Sequence, residues 1–220
     1  MVAARSATAR PVRMRRSQDE VRHLLLESAR RRLEKHGYAG VSTRAVAADA
    51  HASPSLIFSY FGNKVGLIQA AVLEPFHEYM AEAVERESTL PPDASMLDEA
   101  TAWVRGIVRL FIEHRKPVLA LIAADALDLE SGEDIGAAFA RLMGDMESVA
   151  ASWLGGWIWD GYTIQTALRA SLGMIISMTV LNGLLFEEAD QPGEDHIVEQ
   201  VTHMLVHGLA GPGGLPRTGP

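Results

Sequence analysis

Apolar residues along this chain recur at steps of three and four, and no stretch sustains the two-residue alternation of a half-buried strand. The pattern begins behind Ser17-Gln18-Asp19-Glu20, which has the form of a capping box, and continues through Val21, Leu24, Leu25, Ala29 and Leu33 to a glycine stop at Gly37. A second helix is predicted from Ser42 as N-cap to about Ala50. After the short turn His51-Ala52, Ser53 caps a third helix, Pro54 to Phe61, with proline at its first position, where a missing amide costs nothing. Gly62-Asn63 closes that helix and Lys64 opens a fourth, reaching about Glu87, which Pro75 should kink or split. Leu90-Pro91-Pro92-Asp93 is a break, and further helices are predicted at about 96–115, 117–128, 133–157, 163–187 and 194–209. The chain is therefore expected to be all-α.

The stretch from Ser42 to Lys64 is the most informative. Two short helices joined by a tight turn have the form of a helix-turn-helix. The third helix is only about two turns long, with Ile57 and Phe61 as its expected inner residues. Pro54, Ser55, Ser59 and Tyr60 then face outward, an unusual surface in water and a suitable one for a DNA groove.

Charge sharpens this picture. The formal net charge of −8 hides a split: residues 1–64 hold 12 Lys and Arg against 5 Asp and Glu, and residues 65–220 hold 8 against 23. A basic N-terminal third can neutralise phosphates, while the acidic remainder should face away from them. Residues 1–16, with five arginines, Pro11 and little apolar content, are expected to be a disordered basic arm, and the Gly/Pro-rich residues 211–220 a disordered tail. Between them, 17–63 reads as the DNA-binding unit and 64–210 as a larger helical body. There is no cysteine, so disulfides and thiolate metal sites are excluded, as suits a reducing cytoplasm. The longest apolar stretch, Gly173 to Phe186, carries Ser177, Thr179 and Asn182 and reads as a buried helix; the basic N-terminus lacks the apolar core of a secretory signal.

Gly37-Tyr38, Ser42-Thr43-Arg44, Val46-Ala47, Ala50, Ser53, Leu56, Tyr60-Phe61, Lys64 and Leu67 together resemble the DNA-binding segment of the tetracycline-repressor (TetR) family. The resemblance covers residues 17–68. It implies an all-helical homodimer, most often a repressor, with three DNA-binding helices and a divergent ligand-binding, dimerising body. It also implies that Thr43, Ser53, Tyr60 and Lys64, with the cap Ser42, position the DNA backbone, and that Arg44, Pro54, Ser55 and Ser59 lie near base edges. The chemistry agrees, since arginine makes the commonest specific contact to guanine and small residues permit close approach. Three positions depart from the family pattern: His51 replaces the usual turn glycine, Ala52 the usual valine, and Phe58 a tyrosine that often holds a phosphate.

In the body, Trp103, Phe111, Met143, Met146, Trp153, Met174 and Met178 are candidates to line an apolar effector pocket, because methionine repacks readily and tryptophan offers a flat wall. The same residues are equally the material of an ordinary core. Ile164, Leu168, Leu172, Ile175, Ile176, Thr179 and Val180 form an apolar band suited to a two-fold dimer, which would place two recognition helices in successive major grooves of a palindromic operator. Glu74, His77 and Glu78 share a helix face with metal-like spacing, but a solvated charged face explains them, and neither a metal nor a cofactor is expected. No G-x-S-x-G elbow, phosphate loop, dinucleotide fingerprint or H-E-x-x-H motif supports a helical-bundle enzyme. The expected function is a ligand-responsive repressor; the alternative is a regulator controlled by a partner protein.

Overall fold

Residues 17–87, 89, 95–126, 135–154 and 163–208 are described by a computed structural model of the chain. Helix α1 spans Gln18–His36: the Ser17 side chain accepts from the Glu20 amide, and at the other end Gly37 adopts φ 63°, its amide donating to the Leu33 carbonyl. Both ends follow the sequence signals. Leu25, Leu26, Ser28, Ala29 and Leu33 form the buried stripe of this helix. Helix α2 (Thr43–Asp49) and α3 (Pro54–Phe61) follow with the predicted caps.

Helix α4 runs unbroken from Lys64 to Glu87 with Pro75 inside it, so the split allowed by the sequence does not occur. Proline has no amide hydrogen, which leaves the carbonyl four residues earlier, that of Ala71, without its helical donor. Ala71 is fully buried, so water does not serve that oxygen. Arg30 of α1 does: its Nε donates to the Ala71 carbonyl at 2.8 Å. The same guanidinium pairs with Glu27 at 2.7 Å and lies 3.8 Å from Glu74, which also pairs with Arg22. A proline that would weaken an isolated helix thus becomes an attachment point between α1 and α4.

The body comprises α5 (Met96–Glu113), α6 (Arg115–Ala126), α7 (Ile135–Leu154), α8 (Ile164–Thr179), the single turn α9 (Asn182–Leu185) and α10 (Glu194–His203). One apolar cluster continues from Leu25 in α1 through Leu67 and Phe76 in α4 to Ile107, Met146 and Ile197 in the body. Close approach of α4 and α5 depends on Gly106, where an added Cβ would stand 2.2 Å from the Tyr79 ring. Tyr79 in turn donates to the Trp103 carbonyl at 3.0 Å. Arg105 and Arg109 of α5 hold the acidic start of α10 through Asp195 and Glu194 at 2.6 and 2.7 Å.

Two expectations need correction. The helix predicted over 163–187 breaks after Thr179: Leu181 leaves the helical region, and Arg115 Nε takes the Val180 carbonyl at 2.9 Å. Of the expected dimer band, Leu168, Ile175, Thr179 and Val180 are buried within the single chain, and Ile164, Leu172 and Ile176 stay half-buried. Periodicity marked an apolar face there without saying whether the chain's own α5 and α7 cover it. One turn further on, Leu184 and Leu185 are exposed. Among the described residues no single helix is long and apolar enough to cross a membrane. The expectations for 1–16 and 211–220 fall outside the described residues.

Helices α1 and α2 are clasped by Asp49, which accepts from Arg32 Nε at 2.8 Å and from the Ser28 hydroxyl at 3.3 Å. The Arg32 hydrogen bond is the main cause holding the Asp49 carboxyl below the ordinary aspartate value. A carboxyl whose pKa is depressed by folding stabilises the fold above its unfolded pKa, and that contribution disappears as pH falls through the folded value. Urea unfolding of Asp49→Asn should therefore show a lower midpoint than wild type at neutral pH, with the gap narrowing between about pH 5 and pH 2. A gap that stays constant over that range would rule out the clasp.

Candidate nucleic-acid interface

The unit that presents α3 is built from local signals. The Ser42 hydroxyl accepts from the Ala45 amide at 3.4 Å, fixing the start of α2, and Val46, Ala47 and Ala50 seat that helix on α1. The turn that follows requires a left-handed residue, and His51 supplies it at φ 52°, alone among the described non-glycine residues. The strain is modest because histidine tolerates this region better than a β-branched residue. The Ala52 amide then donates back to the Ala47 carbonyl at 2.8 Å, closing the turn.

Ser53 caps α3 by accepting from the Ser55 amide at 3.4 Å, and the two serine hydroxyls share a hydrogen bond of 2.7 Å. Ile57 is fully buried; Leu56, Tyr60 and Phe61 are half-buried. Gly62, at φ 75°, ends the helix with its amide on the Phe58 carbonyl. Asn63 Oδ1 accepts from the Gly66 amide at 2.8 Å and starts α4. Gly66 has no alternative here, since a Cβ would meet the Phe61 carbonyl oxygen at 2.1 Å. The chain bends by 68° between α3 and α4.

Its outer stripe consists of Pro54, Ser55, Phe58, Ser59 and Gly62, all exposed. Two cations belong to the neighbouring helices. Arg44, exposed on α2, forms no ion pair among the described residues, and the Lys64 ammonium sits 4.3 Å above the Tyr38 ring, which holds a long side chain in place. Thr43 is half-buried beside Arg44. Of the residues expected to meet DNA, Ser42, Arg44, Ser53, Pro54, Ser55 and Ser59 are exposed, and Thr43 and Lys64 are half-buried. Tyr60 differs from the sequence expectation: it packs edge-on against Phe61 and borders a cleft of about 570 Å³ with Arg22, His77 and Arg141. Phe58, 56% exposed, occupies the place on the outer stripe that the sequence reading assigned to Tyr60. Spacing could have shown this, because Phe58 stands four residues after Pro54 and three after Ser55.

The candidates in the body are divided. Trp103, Phe111, Met143 and Met146 are buried, while Met174 and Met178 are half-buried. Phe111 and Met146, with Phe76, Ile107 and Phe139, surround a residual apolar cavity of about 10 Å³. Trp153 lies in α7, and its side chain falls outside the described residues. His77 bridges to Asp145 at 3.0 Å and Glu74 is held by Arg22, so these side chains are engaged in pairs between helices. Among the described residues no three His, Asp or Glu side chains are grouped to hold a metal. Partial burial, and Arg30 nearby, depress the pKa of His114.

Residues 25–71 match the family described as "Bacterial regulatory proteins, tetR family". No curated protein matches the sequence. Similar solved structures include a protein from Pseudomonas aeruginosa PAO1 described as a transcriptional regulator, 22% identical, with TM-score 0.68 over 91% of this chain and 96% of that one. FadR from Bacillus subtilis, solved in complex with stearoyl-CoA, is 15% identical, with TM-score 0.62 over 84% of this chain and 98% of FadR. The fatty acid degradation regulator FadR from Bacillus halodurans is 14% identical, with TM-score 0.63 over 88% of this chain and 100% of that one. Residues 25–71 are thus similar to the tetR family of bacterial regulatory proteins, and over most of its length the chain shares the fold of these solved regulators.

Proposed function

We propose that the protein is a ligand-responsive transcriptional repressor that binds a palindromic operator as a homodimer and leaves it when a small apolar molecule enters the body. The observation that carries the DNA reading is the exposed outer stripe of α3, small and uncharged at Pro54, Ser55 and Ser59, on a helix preceded by α2 with its exposed Arg44 and followed by α4 with Lys64 at its start. A helix whose exposed face lacks charge is poorly adapted to water and well adapted to close contact with base edges. On this reading Arg44 pairs with a guanine edge, and Thr43, Ser53 and Lys64 set the register on the phosphates. Dimerisation through the exposed Leu184 and Leu185 region would present two copies of α3 to successive major grooves.

The effector reading is supported by the apolar cavity between Phe76, Phe111, Phe139 and Met146 and by the similarity to FadR with stearoyl-CoA. At about 10 Å³ the cavity has room for no more than about one water molecule, so an acyl or aromatic ligand would have to open it by repacking Met146 and Phe139. Such repacking moves α7 against α4, and α4 carries the attachment to α1 through Arg30 and Glu74.

In gel-shift titrations with an operator selected from random DNA, Arg44→Ala should cost about 1–3 kcal/mol and relax preference at one base pair per half-site. Lys64→Ala should weaken all sequences and reduce the salt slope by about one unit. Equal binding by both variants and wild type would remove the assignment of these residues. For the effector, an acyl-chain compound at about 100 times its Kd should raise stability by roughly 2.7 kcal/mol and alter tryptophan emission, given Trp103 in the core. A chemically broad screen that leaves melting temperature and emission unchanged would point to control by a partner protein.

A further inference from the structure

Phe58 is the one exposed aromatic side chain among the described residues, at 56%, and it lies in the centre of the outer stripe of α3. The other described rings behave differently: Phe76, Phe111 and Trp103 are buried, and Tyr38, Tyr60, Phe61, Tyr79, Phe139 and Phe186 are half-buried. An exposed phenylalanine leaves most of its apolar surface in water, an unfavourable state unless something apolar covers it in use. Its neighbours on the stripe, Pro54, Ser55, Ser59 and Gly62, are too small to cover it, and Phe58 is absent from the apolar cluster of the unit.

The chemistry of this side chain limits what can cover it. A ring without a hydroxyl cannot donate to a phosphate oxygen, so Phe58 cannot hold the DNA backbone by a hydrogen bond. The floor of the major groove consists of hydrogen-bond donors and acceptors with a single apolar exception, the C5 methyl group of thymine. A phenyl ring facing a donor or acceptor would strip water from it and return nothing. Against a thymine methyl it removes apolar surface from water on both sides. Small flanking residues at Ser55 and Ser59 let the helix approach closely enough for that contact.

Resting on the proposal that α3 enters the major groove, we infer that Phe58 is a specificity-determining residue that reads the 5-methyl group of thymine, at one or two adjacent positions in each half-site. The selectivity it confers differs in kind from that of Arg44: it is apolar, insensitive to salt, and directed at a single carbon substituent. It gives preference for thymine without a hydrogen bond to the base.

Deoxyuridine tests this directly, because it lacks only the methyl group and pairs like thymidine. With the full-length protein, an operator is first selected from random DNA, and each thymine in it is then replaced singly by uracil. At the position facing Phe58, wild type should bind the uracil operator about three- to five-fold more weakly, the loss expected for one methyl-sized apolar contact. Phe58→Ala should bind thymine and uracil operators alike, while Phe58→Tyr, which retains the ring, should keep the discrimination. Arg44→Ala should leave the uracil effect intact. Because Phe58 is exposed, the alanine variant should keep the wild-type melting temperature, which separates a recognition defect from a folding defect.

Each outcome decides. A selected operator whose thymines all tolerate uracil overturns the assignment of Phe58 while leaving DNA reading by α3 in place. A uracil penalty that persists unchanged in Phe58→Ala does the same. Failure to enrich any sequence overturns the major-groove reading and this inference with it.

Discussion

The Ala71 carbonyl oxygen, left without a helical donor by Pro75 and taken by Arg30, sets how the DNA-binding helices sit on the rest of the chain. An unsatisfied buried carbonyl costs about 1–3 kcal/mol, so α4 can carry proline at this point only while α1 stays in register with it. The Arg22 and Arg30 pairs with Glu74, one residue before the proline, confine the same register electrostatically. Displacement of α4 along or away from α1 must therefore break a charge-assisted hydrogen bond and two ion pairs at nearly one point. That makes the junction a place where a shift in the body has a discrete consequence for α3, which hangs from α4 by a tight turn around Gly62, Asn63 and Gly66.

At the far end of this linkage, each element of the helix-turn-helix is held by backbone chemistry more than by bulk. Ser42, Ser53 and Asn63 each accept an amide at a helix start, and His51 and Gly62 supply the two left-handed residues between them. The core beneath is thin, with Ile57 the only fully buried side chain of α3, so the projection of the helix is fixed chiefly by these caps and turns. Such construction leaves nearly all of the outer stripe available for a partner. It also explains why a ring as large as Phe58 can stand in water without disturbing the fold.

Much of this was legible in the sequence. The capping box at Ser17, the serine caps and the proline at the first position of α3 located the first helices closely, because these signals act within three or four residues and owe little to tertiary context. The turn at His51-Ala52 was placed by the same local signals. Where the reading fell short, distant partners decided. Pro75 promised a split until Arg30, forty-five residues earlier, supplied the missing donor. The helix over 163–187 breaks where Arg115 takes the Val180 carbonyl, and Leu168, Ile175, Thr179 and Val180 of the apolar band are buried within the chain. Phe58, by contrast, shares the outer stripe with Pro54 and Ser55 at helical spacing, while Tyr60 falls on the flank of α3, so for these two residues the spacing itself held the answer.

A double-mutant cycle between Arg30→Ala and Pro75→Ala, followed by urea unfolding, tests the junction most directly. Pro75→Ala restores an amide to the Ala71 carbonyl, so loss of Arg30 should cost about 1–2 kcal/mol less in that background than in wild type. If Arg30→Ala costs the same in both backgrounds, the guanidinium acts only through Glu27 and Glu74, and the carbonyl is not what ties the DNA-binding helices to the body.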